Sequence, residues 1–315
     1  MPRPLVIQTE DLAPEASDFL RERCDLEICP STDTQRFPDL LARAAGLVVR
    51  TYTKVDQSLL DRAPALTVIG RAGVGLDAID VDACRRRGIR VVYTPEANSQ
   101  AVAEYVFAML FDVLRPRLFL ERALPLLEWN NLRRELIAPR QLGDLTLGVL
   151  GLGRIGTRVA RIGRALGMRV LFHDLREIPE PQRDPATSVS RDDLLAQSDI
   201  LTVHVDNRPE NRHLIGASAL GLMKSDSNLV NTSRGFVVDA SALARFLSTN
   251  TTAHALLDVH DPEPFREDHA LLALPNAHLS PHIAAATMAA HQAMSWVVRD
   301  VWSVLEGTEP TFAAC

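Results

Sequence analysis

The chain has 315 residues, of which 46% are hydrophobic and 23% are charged, and its formal net charge at neutral pH is -6. That length suits two ordinary domains, and the acidic balance gives no electrostatic basis for binding nucleic acid or an anionic membrane. The composition is therefore typical of a globular protein.

The cysteines and the N-terminus show no sign of a metal site, secretion or membrane insertion. The four cysteines form no CxxC pair, and none lies beside a histidine at metal-ligand spacing. The first residues run into a strand-like segment without a signal-peptide core, and no apolar stretch approaches the roughly 20 residues needed to cross a bilayer. We expect free thiols, no metal and a cytoplasmic location.

Short β-branched runs alternate with helical patterns along the chain, which predicts parallel strands joined by crossover helices. A first group of predicted strands covers residues 5–7, 46–49, 66–69 and 89–92. The pattern restarts with predicted strands at 147–150, 168–172, 200–203, 228–230 and 255–257. Two doubly wound α/β units are therefore expected, with an amphipathic helix over 100–114 between the two groups. The proline-rich segment 178–190 falls between two strands of the second unit, so we interpret it as a surface loop.

A glycine loop follows the predicted strand 147–150 and opens a predicted helix over 157–166. Its residues are Gly151, Gly153 and Gly156, with Arg154 and Ile155 before the last glycine. In this context, glycines allow a tight turn, a close approach of the backbone to a pyrophosphate and close helix packing. The spacing predicts a dinucleotide site.

Asp174 ends the next strand, 18 residues after Gly156, where an acid is expected to bind the adenosine ribose hydroxyls. A carboxylate there repels a 2′-phosphate, which favours NAD over NADP. Arg176 keeps NADP as an alternative cofactor, because a nearby arginine can accommodate that phosphate.

Three later stretches, 231–235, 258–264 and 280–282, supply an arginine, a carboxylate and a histidine. Arg234 follows a strand, and its guanidinium can bind a substrate carboxylate through two hydrogen bonds. His282 can donate or accept a proton near neutral pH. Glu263 is expected to hold the histidine, with Asp261 as the competing acid. Such groups can support hydride transfer between a 2-hydroxy acid and a nicotinamide.

The order of these motifs, together with a glycine-rich stretch at 70–77, resembles the D-2-hydroxyacid dehydrogenases over nearly the whole chain. The resemblance implies a Rossmann-type NAD-binding domain at 99–283 and a flavodoxin-like substrate domain at 1–98 and 284–315, with a cleft between them. It also implies a homodimer formed through the nucleotide domain, with 100–127 in the contact.

The family's site roles can be carried over to matching positions. The amides of Val74 and Gly75 are expected to hold the substrate carboxylate, and Thr232 and Asp258 to contact the cofactor. Asp206, also expected near the cofactor, stands where family members usually carry proline.

The branch that the stretches 71–75 and 49–55 resemble most is D-3-phosphoglycerate dehydrogenase, in a short form without the regulatory domain. Arg50 and Arg71, with Arg133 or Arg134, would then meet a distal phosphate. A glyoxylate or hydroxypyruvate reductase is the alternative enzyme, and an NADH-sensing corepressor is the alternative from another class.

Overall fold

The computed structural model describes residues 3–115, 117–183 and 186–315. The chain forms two compact units, one made of Met1–Asn98 with Ala285–Cys315 and the other of Ser99–Ala284.

The first unit contains a five-stranded parallel sheet in the order β2-β1-β3-β4-β5. Its strands are β1 Leu5–Gln8, β2 Asp25–Ile28, β3 Gly46–Val49, β4 Val68–Arg71 and β5 Arg90–Tyr93. The helices in this part of the chain are α1 Pro14–Arg21, α2 Phe37–Leu41, α3 Gln57–Asp61 and α4 Val81–Arg86. The strand order is the flavodoxin-like one.

Both faces of the central strands of this sheet are buried, as expected for parallel strands covered by helices. Successive strand residues point to opposite faces. One apolar cluster therefore takes Ile7, Leu47, Ile69 and Val91, and another takes their neighbours Val6, Val48, Val68 and Val92.

The second unit contains a seven-stranded parallel sheet in the order β12-β11-β10-β9-β6-β7-β8. Its helices are α5 Ser99–Leu114, α6 Leu126–Glu135, α7 Arg154–Ala165, α8 Glu180–Arg183, α9 Arg191–Gln197, α10 Ala217–Leu220 and α11 Ala240–Thr249. Its strands are β6 Thr146–Leu150, β7 Arg169–His173, β8 Thr187–Ser188, β9 Ile200–Val203, β10 Asn228–Asn231, β11 His254–Leu257 and β12 Ala277–Leu279. The chain order reverses at β6, which lies between β7 and β9, and ligands of such sheets bind outside the carboxyl ends of the strands at that point.

The chain returns to the first unit with α12 Met288–Ser295 and α13 Val298–Glu306. Helix α13 lies directly on β4, because a Cβ at Gly70 would come within 2.4 Å of Cγ2 of Val301. The last segment of the chain is thus part of the first unit's core.

The pair of doubly wound sheets confirms the fold class predicted from the sequence. Strands β2, β8 and β12 were not predicted, and all three lie at sheet edges, where one side of the strand has no strand partner. The segment 178–190 was predicted as a loop but contains α8 and β8; its residues Asp184 and Pro185 lie outside the described residues. Helix α7 begins at Arg154, three residues earlier than predicted.

No helix in the described ranges is long and apolar enough to cross a membrane.

Candidate active site

The glycine loop between β6 and α7 is shaped by two close backbone approaches. Gly151 has a φ of 92°, and a Cβ there would lie 2.6 Å from the carbonyl oxygen of His204. A Cβ at Gly156 would lie 2.1 Å from the carbonyl oxygen of Gly151, so larger residues are excluded at both positions. Gly153 has no heavy atom within 4 Å of an added Cβ, and the first turn with Arg154 and Ile155 starts there. An open helix N-terminus of this kind suits an anionic pyrophosphate.

Asp174 follows β7 and braces the glycine loop. One carboxylate oxygen accepts the amide N–H of Leu152 at 2.8 Å, and the other accepts the amide N–H of Arg176 at 2.9 Å. Burial alone would raise the pKa of Asp174, but hydrogen bonds from Arg176 and Leu152 lower it overall, so the group is ionised at neutral pH. A carboxylate has about four acceptor sites, which leaves capacity for ribose hydroxyls.

Two buried polar atoms near the carboxyl ends of β9 and β10 fit a bound cofactor. Among the described residues, Thr232 Oγ1 and His204 Nδ1 are buried and have no hydrogen-bond partner. Buried polar atoms are nearly always paired, so such atoms call for a ligand or water. Asp206 lies in the loop after β9 and accepts from Arg208 Nε at 2.8 Å and Asn211 Nδ2 at 2.9 Å.

Arg234 lies in a tight loop after β10 that is shaped by Asn231. The Asn231 side chain donates to the carbonyl oxygen of Arg234 at 2.9 Å and accepts from the backbone N–H and the hydroxyl of Ser233. The Arg234 guanidinium is half-buried and donates to the carbonyl oxygen of Ser233 at 2.6 Å. A Cβ at Gly235 would lie 1.9 Å from the carbonyl carbon of His260, so glycine lets this loop touch the one that carries Glu263.

Glu263 and His282 form a direct pair. Oε2 of Glu263 lies 2.8 Å from Nδ1 of His282, and Oε1 accepts the backbone N–H of His260 at 2.7 Å. The competing acid, Asp261, instead pairs with Arg212 at 3.1 Å. The structure therefore brings Glu263, not Asp261, to the histidine.

The electrostatics of this pair favour the ionised forms of both groups. Burial would raise the pKa of Glu263, but hydrogen bonds from His282 and His260 lower it overall. The hydrogen bond to Glu263 raises the pKa of His282 despite opposing effects of burial and of Arg234.

Asp258 is buried and supports the loop that carries His282. Its carboxylate accepts the Ser280 hydroxyl at 2.6 Å, the Ile283 amide at 2.9 Å and the Ala284 amide at 2.8 Å. The loop needs this support, because His282 itself has a φ of 56°, a conformation that non-glycine residues rarely adopt. The expected contact of Asp258 with the cofactor stays a prediction.

Other histidines of the second unit have structural partners. His260 Nε2 bonds the Ser280 carbonyl oxygen at 2.8 Å, and His278 pairs with His254 at 3.1 Å. His204 Nε2 bonds the Thr202 hydroxyl at 2.8 Å, and burial lowers its pKa to about 3, so its ring is neutral.

In the first unit, the stretch 70–77 folds around Arg71. This side chain donates to the carbonyl oxygens of Ala72 at 2.8 Å and Gly75 at 2.9 Å, so it shapes the loop. Within the described ranges, no backbone carbonyl accepts the amides of Val74 or Gly75. These backbone N–H groups can therefore bind an anion.

Arg50 follows β3 in the same unit. Its Nη1 donates to the Asp11 carbonyl oxygen at 3.0 Å and lies 2.7 Å from Nδ1 of His291. Arg133 and Arg134 lie on α6 in the other unit, where Arg134 bonds the Asn131 side chain.

Sequence reasoning missed Glu10, whose carboxylate accepts the four successive backbone N–H groups of residues 50–53. It follows β1 by two residues, and an acid just past the carboxyl end of a parallel strand was the available signal. The carboxylate fixes the loop that presents Arg50.

Comparisons with known proteins identify the family. The family model for the NAD-binding domain of D-isomer specific 2-hydroxyacid dehydrogenases matches residues 107–284. A glyoxylate reductase of Aeropyrum pernix is 38% identical, with 91% of this chain and 88% of that protein covered. A D-3-phosphoglycerate dehydrogenase of Archaeoglobus fulgidus is 34% identical over 96% of this chain, which spans only 57% of that protein.

A solved structure extends the agreement to the fold. The crystal structure of D-lactate dehydrogenase from Aquifex aeolicus, complexed with NAD and lactic acid, superposes with a TM-score of 0.80 at 30% identity and 96% coverage of each chain. The chain belongs to the D-isomer specific 2-hydroxyacid dehydrogenases, and it is an NAD-dependent oxidoreductase of that family.

Proposed function

We propose that the protein interconverts a small 2-keto acid and its D-2-hydroxy acid, with D-3-phosphoglycerate and 3-phosphohydroxypyruvate as the favoured pair. The observation that carries the reaction is the 2.8 Å bond between Glu263 and Nδ1 of His282, because it leaves Nε2 as the nitrogen that meets substrate.

NAD, when bound, supplies or accepts the hydride at C2 of the substrate. Arg234 binds the substrate carboxylate and polarises the C2 oxygen, as a guanidinium can do with two prongs. Protonated His282 gives its Nε2 proton to that oxygen during reduction, and the neutral ring takes it back during oxidation. Glu263 keeps the other proton on Nδ1 and stabilises the imidazolium.

The remaining chain groups bind the two ends of the substrate. The amides of Val74 and Gly75 in the first unit are assigned to the substrate carboxylate. Arg50 is assigned to a distal anion, because a guanidinium group is suited to bind an anion and Glu10 holds the loop that carries it. Arg71 contributes by shaping the Val74–Gly75 loop. The cofactor is assigned to the glycine loop, Asp174, Asp206, Thr232 and Asp258.

A glyoxylate or hydroxypyruvate reductase is the second candidate. The observation in its favour is the glyoxylate reductase of Aeropyrum pernix, which is matched over most of its length. Its substrate would not need a distal anion contact.

A substrate panel tests these assignments. Initial rates of NADH oxidation are measured with phosphohydroxypyruvate, hydroxypyruvate and glyoxylate at matched concentrations. A kcat/KM highest for phosphohydroxypyruvate supports the first candidate, whereas a preference for glyoxylate or hydroxypyruvate supports the second. Absence of turnover with every 2-keto acid would favour a corepressor-like binding protein.

We also propose a homodimer formed through the second unit. The segment 118–137 exposes a group of large apolar side chains, and α6 within it has no buried residue. The group comprises Leu118, Phe119, Leu120, Leu126, Leu127, Trp129, Leu136 and Ile137. In contrast, Val106 and Leu110 of α5 pack inside their own unit, so they add little surface for a partner.

Sedimentation tests the dimer. The native protein should sediment at twice 34.7 kDa at micromolar concentration. Phe119→Asp should weaken association, whereas Tyr52→Asp, at an exposed aromatic of the first unit, should not. A native species of 34.7 kDa would refute the proposal.

A further inference from the structure

Two acid–arginine pairs lie after the two strands that flank β6. Asp174 and Arg176 follow β7, and their side chains are 3.2 Å apart. Asp206 and Arg208 follow β9 with a separation of 2.8 Å. Because parallel strands end at the same edge of a sheet, both pairs lie at the carboxyl edge that receives the cofactor.

The loop that holds Asp206 is built against the glycine loop. A Cβ at Gly151 would lie 2.6 Å from the carbonyl oxygen of His204, two residues before Asp206. The Asn211 side chain donates to both the carboxylate and the carbonyl oxygen of Asp206 at 2.9 Å, which fixes the position of the acid. The loop is thus held by its own hydrogen bonds.

The four charged groups share one electrostatic field. The hydrogen bond to Asp174 raises the pKa of Arg176 most, and the charge of Asp206 adds to this effect. Asp206 likewise raises the pKa of Arg208, with a smaller addition from Asp174. A change of charge in one acid–arginine pair therefore alters the electrostatic potential at the other pair.

We propose that Asp206 is a specificity-determining residue for the cofactor: with Asp174 it repels the 2′-phosphate of NADP, and it keeps the Arg208 guanidinium paired. The inference rests on NAD binding by the second unit and is independent of the substrate. With both acids present, the four side chains are neutral as a group. Neutralising Asp206 leaves one excess positive charge and releases Arg208 to bind the 2′-phosphate with Arg176.

Asp206→Asn tests this, because the amide keeps the size of the side chain and an acceptor oxygen. Dissociation constants of NADPH and NADH are measured by cofactor fluorescence on the full chain without substrate. We expect NADPH to bind about tenfold more tightly at low salt. The reason is that Asp206 no longer repels the 2′-phosphate and Arg208 is free to bind it. NADH has no 2′-phosphate, so any change in its affinity should be much smaller than the NADPH gain, and added salt should shrink that gain.

Asp226→Asn is the matched control. Asp226 pairs with Arg140 at 3.6 Å and precedes β10, so it lies at the opposite edge of the same sheet. This variant makes the same change of charge and should leave both affinities unchanged. Adding Arg208→Ala to Asp206→Asn should remove most of the NADPH gain.

Three results would overturn the proposal. Parallel changes in NADH and NADPH affinity would mean that Asp206 only shapes the loop. An equal gain in NADPH affinity in Asp226→Asn would mean that the effect comes from the net charge of the protein. The same gain in Asp206→Glu, which keeps the carboxylate, would also contradict it.

Discussion

The proposed catalytic side chains of the second unit and the proposed substrate contacts of the first are held in different ways. Glu263 and Asp258 fix the His282 loop through bonds between residues about twenty positions apart in sequence. Arg71, by contrast, bonds carbonyl oxygens of its own short loop. The reacting groups are thus held by carboxylates distant in sequence, of which Asp258 is buried, whereas the Arg71 loop is held by its own side chain. The Arg50 loop is the exception in the first unit, because the distant Glu10 holds it. We expect the catalytic side chains of the second unit to control the reaction rate. We expect the substrate contacts of the first unit to control substrate choice.

The largest effect is expected at Arg234. Arg234→Ala should lower kcat/KM on the order of 10³-fold or more, because both carboxylate binding and stabilisation of the transition state are lost. NADH affinity, measured by fluorescence, should barely change. Arg245→Ala, at an exposed arginine of α11, is the control and should keep full activity. Weakened NADH binding with normal turnover at saturating NADH would contradict the assignment.

His282→Ala should lower kcat by at least about 10²-fold, the low end for general acid–base catalysis. The loss should appear in kcat measured at saturating keto acid, with NADH binding retained. If kcat stays within about threefold of the native value, another group transfers the proton.

Arg50→Ala should act on substrate choice. One lost charge-assisted contact costs roughly 1.5–3 kcal/mol, a factor of about ten to a hundred or more in kcat/KM for phosphohydroxypyruvate. Glyoxylate, which has no distal group, should lose far less. Arg43→Ala, at an exposed arginine of the same unit, is the control. Equal losses for both substrates would make Arg50 a structural residue and favour the reductase alternative.

Much of the fold could be predicted from the sequence because central parallel strands are buried on both faces and read as continuous apolar runs. Strand β2, Asp25–Ile28, alternates acid and apolar residues at a sheet edge and gives no such run. The short strand β8 is exposed along its length, so burial leaves no pattern in its sequence.

The site shows the same limit. Arg234, Glu263 and His282 could be identified from motifs, but the sequence left Asp261 open as a competing partner of His282. That choice depends on Arg212, which pairs with Asp261 from 49 residues away. Long-range pairs of this kind leave no local trace, and the same holds for the bonds from Asp258 to residues 280–284.

The smallest and most specific effect is expected at Glu263. The hydrogen bond that His282 donates to Glu263 raises the pKa of His282, so the protonated ring needed for keto-acid reduction persists to higher pH. In Glu263→Gln that charge is gone, and the fall of kcat with rising pH should move to lower pH by roughly one unit. The amide also has one oxygen for the two donors, His260 N–H and His282 Nδ1–H, so a moderate loss of rate should accompany the shift.

The matched control for Glu263→Gln is Asp261→Asn, which removes the neighbouring acid that the structure pairs with Arg212. Its pH profile should follow that of the native enzyme, because Asp261 does not bond the imidazole. The pH dependence of kcat for reduction, measured for both variants at saturating NADH, separates the two acids. A shift in Asp261→Asn with none in Glu263→Gln would reverse their roles. If neither variant shifts the profile, proton transfer by His282 does not limit the rate, and a step such as cofactor release would then set kcat.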